Sequence, residues 1–162
     1  MPDIVKRVQY FYTEVADKPG EGARLLTMLK DAGVHLLAYS GFPKGRRAQI
    51  DFIPADVAAF RIAARKAKLT LVGPKTGFLI QGEDRPGVLA EIIAKLAAAK
   101  INVTACDAAA AGERRYGAIL WVKAQDVPRA ARVLGAVKEE RPKTGEVDAG
   151  GSGASATGNA TA

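Results

Sequence analysis

Two stretches carry the residue types and spacing most suited to holding a small molecule: Asp17-Lys18-Pro19-Gly20 and Asp84-Arg85-Pro86-Gly87, each between a strand-like run and a helix-like run. The residue before a proline is pushed into extended geometry, so Lys18 and Arg85 are expected to end a strand. Proline suits the first helical position, so Pro19 and Pro86 are expected to open helices, with Asp17 and Asp84 capping the first turn. Gly20 and Gly87 leave room for a ligand, and uncapped amides at a helix start suit a carboxylate. Read alone, such a corner is ordinary strand-to-helix punctuation.

Other chemistry is sparse. His35 falls where Asn102 falls in the second stretch and is able to hydrogen-bond a carboxylate, although a lone His at a strand start is usually just solvated. The single cysteine, Cys106, excludes an internal disulfide and reads as a small packed hydrophobe. Carboxylates show no acid–base spacing and no phosphate loop is present, so no catalytic, metal or cofactor site is expected.

The elements around the corners repeat as well. Leu25, Leu26, Leu29, Val34 and Leu36 stand at the same distances from Asp17 as Ile92, Ile93, Leu96, Ile101 and Val103 from Asp84. A fixed offset across turn, helix and strand is an internal duplication. In the first copy, strands are expected over 8–15, 34–41, 48–53 and 69–72, with helices over 19–32 and 54–68. A hairpin turn surrounds Gly45, and Gly73-Pro74 is expected to break the chain. In the second copy, strands are expected over 78–83, 101–109 and 116–123, and helices over 86–100 and 126–138. The only candidate for its closing strand is the weakly apolar 143–147; the run of Gly, Ser, Ala, Thr and Asn after Asp148 carries no charge, and 141–162 as a whole is expected to be a disordered tail.

This order predicts an α+β fold of two ferredoxin-like βαββαβ units in tandem, over 5–73 and 76–140, with antiparallel sheets and helices on one face. No apolar run reaches membrane-span length, so a cytoplasmic protein is expected. The net charge is +7, of which +6 lies before residue 76. That imbalance raises nucleic-acid binding as an alternative. The runs Arg47–Phe52 and Arg115–Trp121 lack the alternating aromatics of an RNA-reading strand, and Arg46, Arg47, Arg114 and Arg115 read as solvated hairpin tips.

The corner, the pattern Leu25-Leu26-x-x-Leu29-x-x-Ala32-Gly33-Val34 and its counterpart running from Ile92 to Asn102-Val103 resemble tandem ACT domains, a family of amino-acid-sensing regulatory modules. The resemblance covers about residues 5–138. It implies an amino-acid ligand held where units meet, and as partners a second copy of the chain or an enzyme of amino-acid metabolism. By position it implicates Asp17, Pro19, Gly20, Glu21, Gly22 and His35 in the first copy. In the second it implicates Asp84, Pro86, Gly87, Val88, Leu89 and Asn102. Glu21-Gly22 departs from the family pattern while Val88-Leu89 fits it, so the second corner is the better candidate. A purely structural or oligomerising module is the alternative within the same fold.

Overall fold

The structure is a computed structural model and describes residues 3–137. Its strands are β1 (Ile4–Ala16), β2 (Leu36–Lys44), β3 (Arg47–Pro54), β4 (Val72–Glu83), β5 (Val103–Ala110) and β6 (Arg115–Val122). The helices are α1 (Glu21–Asp31), α2 (Val57–Lys66), α3 (Val88–Ala98) and α4 (Val127–Leu134), the last entered by a 3-10 turn at Ala124–Asp126. All six strands form one antiparallel sheet in the order β2-β3-β1-β4-β6-β5.

That order shows how two units share one sheet. A ferredoxin-like unit needs four strands, and β4 closes the first unit while opening the second. Reciprocally, the first half of β1 pairs with β4 from Ile4↔Gln81 to Tyr10↔Lys75, occupying the place beside β4 where a closing strand of the second unit belongs. The expected candidate at 143–147 lies outside the described residues. Val137, the last of them, instead bridges Lys6 on the other edge of β1.

The short strand expected at 69–72, followed by a break, is therefore corrected to one continuous strand through Gly73-Pro74. The chain absorbs the proline as a register shift between Tyr10↔Lys75 and Tyr12↔Val72. Gly73 makes this possible. Its φ is +134°, and a Cβ there would lie 2.9 Å from the Tyr10 carbonyl oxygen.

Strand side chains alternate between faces, so each strand feeds two cores. On one face Phe11, Ile50 and Phe52 pack under Leu25 and Leu29 of α1 and Phe60 of α2. On the same face of the other half, Phe78, Ile80 and Leu120 pack with Val5 under Val88, Ile92 and Leu96 of α3 and Ala130 of α4. Within α1 the buried residues are Leu25 and Leu29, while Leu26, like its repeat partner Ile93 in α3, is exposed. The opposite face carries its own cluster of Val8, Ile53, Leu79, Ile119 and Trp121. The sheet curls around that cluster until its two edge strands touch, where Ser40 Oγ donates to Asp107 Oδ2 at 2.7 Å.

Ser40 and Asp107 are 67 residues apart. So are the paired residues Gln9 and Thr76 at the middle of β1 and β4. Equivalent positions of the duplication thus meet each other, which places a pseudo-two-fold axis through the β1–β4 pair.

Candidate functional site

Because β1 and β4 run antiparallel, the two Asp-x-Pro-Gly corners lie at opposite ends of the sheet. Asp17, Pro19 and Gly20 are exposed at one end, Asp84, Pro86 and Gly87 at the other. Within one chain they cannot form a common site. The helix starts also differ from expectation. Pro19 and Pro86 sit in turns, the helices begin at Glu21 and Val88, and neither Asp17 nor Asp84 caps them. The N-cap residues are Gly20 and Gly87, at φ +94° and +86°, with nothing within 4 Å of where a Cβ would stand. The left-handed conformation turns the chain into the helix and leaves the first-turn amides without a side-chain acceptor.

Around the first corner, Glu21 accepts from Arg24 at 2.9 Å, an i,i+3 pair within the helix. A Cβ on Gly22 would lie 3.0 Å from the Tyr39 hydroxyl, so the tyrosine of β2 lies against the first turn of α1. The repeat counterparts of Gly22 and Tyr39 are Leu89 and Cys106, both half-buried against the second core. A large residue on the helix with a small one on the strand has been exchanged for the reverse. His35 and Asn102 are exposed at the strand entrances, away from the corner of their own unit. The His35 backbone oxygen accepts from the Ala55 amide at 2.9 Å.

The second corner opens onto a cavity of about 270 Å³ lined by Asp3, Glu83, Arg85, Glu91 and Lys95, with Val5, Ile92 and Leu134 as apolar wall. Arg85 donates twice to the Glu91 carboxylate, both at 2.5 Å. That paired hydrogen bonding lowers the Glu91 pKa and raises that of Arg85, so both are charged throughout the physiological range. Glu83 also accepts from Arg114 at 2.9 Å. Asp3 lodges against Gly82, where any side chain would collide with its carboxylate and with the Tyr116 ring. Burial, and then the Asp3 charge, push the Tyr116 hydroxyl up to about 12.

Of the residues expected in the site, only the neighbourhood of the second corner is brought to this cavity. Val88 is buried in the second core, and Leu89 and Cys106 each pack, partly buried, against it. Of its charged lining only Arg85 belongs to the tetrapeptide read from the sequence, there as a strand end and not as a ligand contact; Asp3, Glu83, Glu91 and Lys95 were not singled out. Asp3 is 80 positions from Glu83 and is brought there only because β1 pairs with β4.

Residues 78–142 match the family model of the ACT domain. That stretch is similar to an ACT domain. The matched residues include the second corner, α3 and the second half of β4, but not β1, which supplies Val5 to the cavity. Among solved structures, the fold is similar to protein BT0572 from Bacteroides thetaiotaomicron, at 15% identity and a TM-score of 0.68 over 82% of this chain and 88% of that one. It is also similar to the ligand-free regulatory subunit of aspartate kinase from Thermus thermophilus, at 19% identity and TM-score 0.56 over 83% and 95% of the two chains. The regulatory subunit of aspartate kinase from Thermus flavus gives 18%, 0.53, 83% and 94%. At these identities the likeness is one of fold. No curated protein matches the sequence.

Proposed function

We propose that the protein is a non-enzymatic, cytoplasmic regulator built of two ACT units, over 5–73 and 76–140, that binds a small amino acid at the second corner. The observation that carries this reading is the cavity beside Arg85, which offers both signs of charge to a ligand that itself bears an ammonium and a carboxylate. A ligand carboxylate competes with Glu91 for the Arg85 guanidinium and reaches the uncapped amides of α3, while Asp3 and Glu83 receive the ammonium. The first corner, where Tyr39 lies against the helix start, is the poorer receptor.

The ACT domain match over this half, and a fold shared with structures named as regulatory subunits of aspartate kinase, support a role in controlling an enzyme of amino-acid metabolism. Among the described residues no helix is long and apolar enough to cross a membrane.

A panel of the amino acids in a thermal-shift assay tests the reading. A ligand at about 100 times its Kd stabilises by about 2.7 kcal/mol. Arg85→Gln and Asp3→Asn are each expected to abolish that shift with little change in the ligand-free melting temperature. A panel in which nothing shifts the wild-type protein overturns the proposal.

One observation favours an added role in self-association. Apart from the Ser40–Asp107 contact with β5, the outer edge of β2 is unpaired among the described residues and the strand exposes Leu37, Tyr39 and Phe42, a rim suited to pairing with a second copy. Sedimentation of a monomer at micromolar concentration would remove this reading.

A further inference from the structure

On the sheet face away from the helices, a hollow of about 290 Å³ lies beside the place where the two edge strands meet. The register builds its floor. Leu79, Ile119 and Asp107 form one row across β4, β6 and β5, and Gln81, Gly117 and Ala109 form the next. Residues two apart on a strand share a face, so both rows lie on the face of the cluster that holds Leu79 and Ile119. Leu37 and Ala38 of β2 close the opposite side, next to the Ser40 hydroxyl that donates to Asp107 Oδ2. A Cβ on Gly117 would meet nothing within 4 Å, so the second row is open at its centre.

The duplication does not demand this hollow. The matching rows at the other pole are Tyr12, Asp51 and Ser40, then Glu14, Gln49 and Phe42. Larger side chains stand there and are tied together: Gln49 Nε2 donates to Asp51 at 2.9 Å, while Lys44 donates to Gln49 at 3.0 Å and to Glu14 at 2.6 Å. Leu79, Gly117 and Ala109, in place of Tyr12, Gln49 and Phe42, leave an apolar floor instead. Two acceptors remain at its rim. Asp107 uses Oδ2 for Ser40, and neither its Oδ1 nor the Gln81 amide takes part in a hydrogen bond among the described residues. Among those residues no cation lines the hollow, and Lys6, beside Leu79 on β1, is separated from Asp107 by β4 and β6. The volume falls just under the range of about 300–1,000 Å³ that holds drug-sized ligands, so the occupant is small.

We propose that this hollow binds a small primary amine with an aliphatic or aromatic body. The body rests on Leu79, Ile119 and the Gly117 backbone, and the ammonium donates to Asp107 Oδ1 and to the Gln81 side-chain oxygen. A carboxylate on the ligand meets Asp107 as a like charge, so the hollow prefers an amine to the amino acid that carries the same side chain. The site is distinct from the corner cavity, whose Val5 and Ile92 belong to the helix-side core and which shares no lining residue with it.

Titration of the full chain with phenethylamine, phenethyl alcohol and phenylacetate at matched ionic strength, followed by the amide resonances of Ala109 and Gly117, tests this. The amine is expected to give saturable shifts at both amides, the alcohol to bind at least about ten-fold more weakly, and the carboxylate to bind more weakly still. Gly117→Leu fills the floor and is expected to abolish binding without lowering the melting temperature, since a glycine inside a strand weakens it. Ala109→Leu, on the edge strand of the same row, serves if that variant fails to fold. Asp107→Asn keeps an acceptor for Ser40 while removing the charge, and is expected to bring the amine down to the affinity of the alcohol and leave the alcohol unchanged. The inference is overturned by amine shifts that do not saturate or that survive both filling variants, or by phenylacetate binding as well as the amine. A wild-type dimer that binds no amine and that Gly117→Leu converts to monomer in sedimentation would overturn it too, by placing a second copy in the hollow.

Discussion

Asp51 is the buried acid of the sheet, on β3, its carboxylate accepting from Gln49 at 2.9 Å. Burial raises its pKa above the ordinary value, against the opposing pull of Gln49, Lys75 and Lys44. The folded chain therefore takes up this proton at a higher pH than the unfolded chain does. The cost of its charge is full at neutral pH and is relieved as the pH falls through the folded pKa. Glu14 and Glu91 act in the other sense, since their lowered pKa values make stability fall as the medium is acidified. Asp51→Asn is expected to melt higher than the wild type at pH 7, with the gap closing toward pH 4. A variant that melts lower at pH 7 would show that the two lysines outweigh burial. A second pair is best read by exchange. Gly22→Leu crowds Tyr39 and is expected to cost about 1–3 kcal/mol. Adding Tyr39→Cys, which reproduces the Leu89 and Cys106 arrangement of the other half, is expected to recover most of it in a double-mutant cycle by urea unfolding.

The elements that were legible in the sequence are those set by local chemistry. The second helix is where expected, with Phe60 and Ala64 buried, although Pro54 ends β3 and does not open it: α2 begins at Val57, with Asp56 as the cap accepting from the Ala59 amide at 3.0 Å. Ala48, Ile50 and Phe52 share a face, and the turn at Gly45 is where expected. Both corner helices start two residues late because the glycine, and not the proline, makes the entry. That prediction is checkable: Gly20→Ala and Gly87→Ala force an L side chain into left-handed backbone and are each expected to destabilise by about 1–2 kcal/mol in urea, although open space surrounds both positions. What local chemistry does not encode is pairing. Nothing near Gly73-Pro74 announces that β1 will hold the strand together across the break. Nothing near Asp3 announces that it will face Arg85. The candidate site was thus legible as a corner, not as a cavity, because its lining comes from strands brought together only by the sheet.

At the scale of the whole molecule, β1 and β4 each serve both halves, so the halves should not unfold separately. Val5 and Phe60 sit in different helical cores, yet Val5→Ala, expected to cost about 2 kcal/mol, and Phe60→Ala, about 3–5 kcal/mol, should move one and the same transition. Trp121 fluorescence and far-ultraviolet circular dichroism should report coincident curves, and two resolved steps would refute this. A fragment beginning at residue 76 lacks Val5 and the strand beside β4, and is expected to show no cooperative melting at all.

Gln9 facing Thr76 is what an isologous contact between identical subunits looks like when those subunits have been fused into one polypeptide. In a true homodimer any change to one partner appears in the other as well. Fusion lifts that constraint, and this chain has used the freedom: tyrosine against glycine at one pole, cysteine and leucine at the equivalent positions of the other, and Glu21 at the first helix start where the second has Val88. The two poles have become free to recognise different molecules.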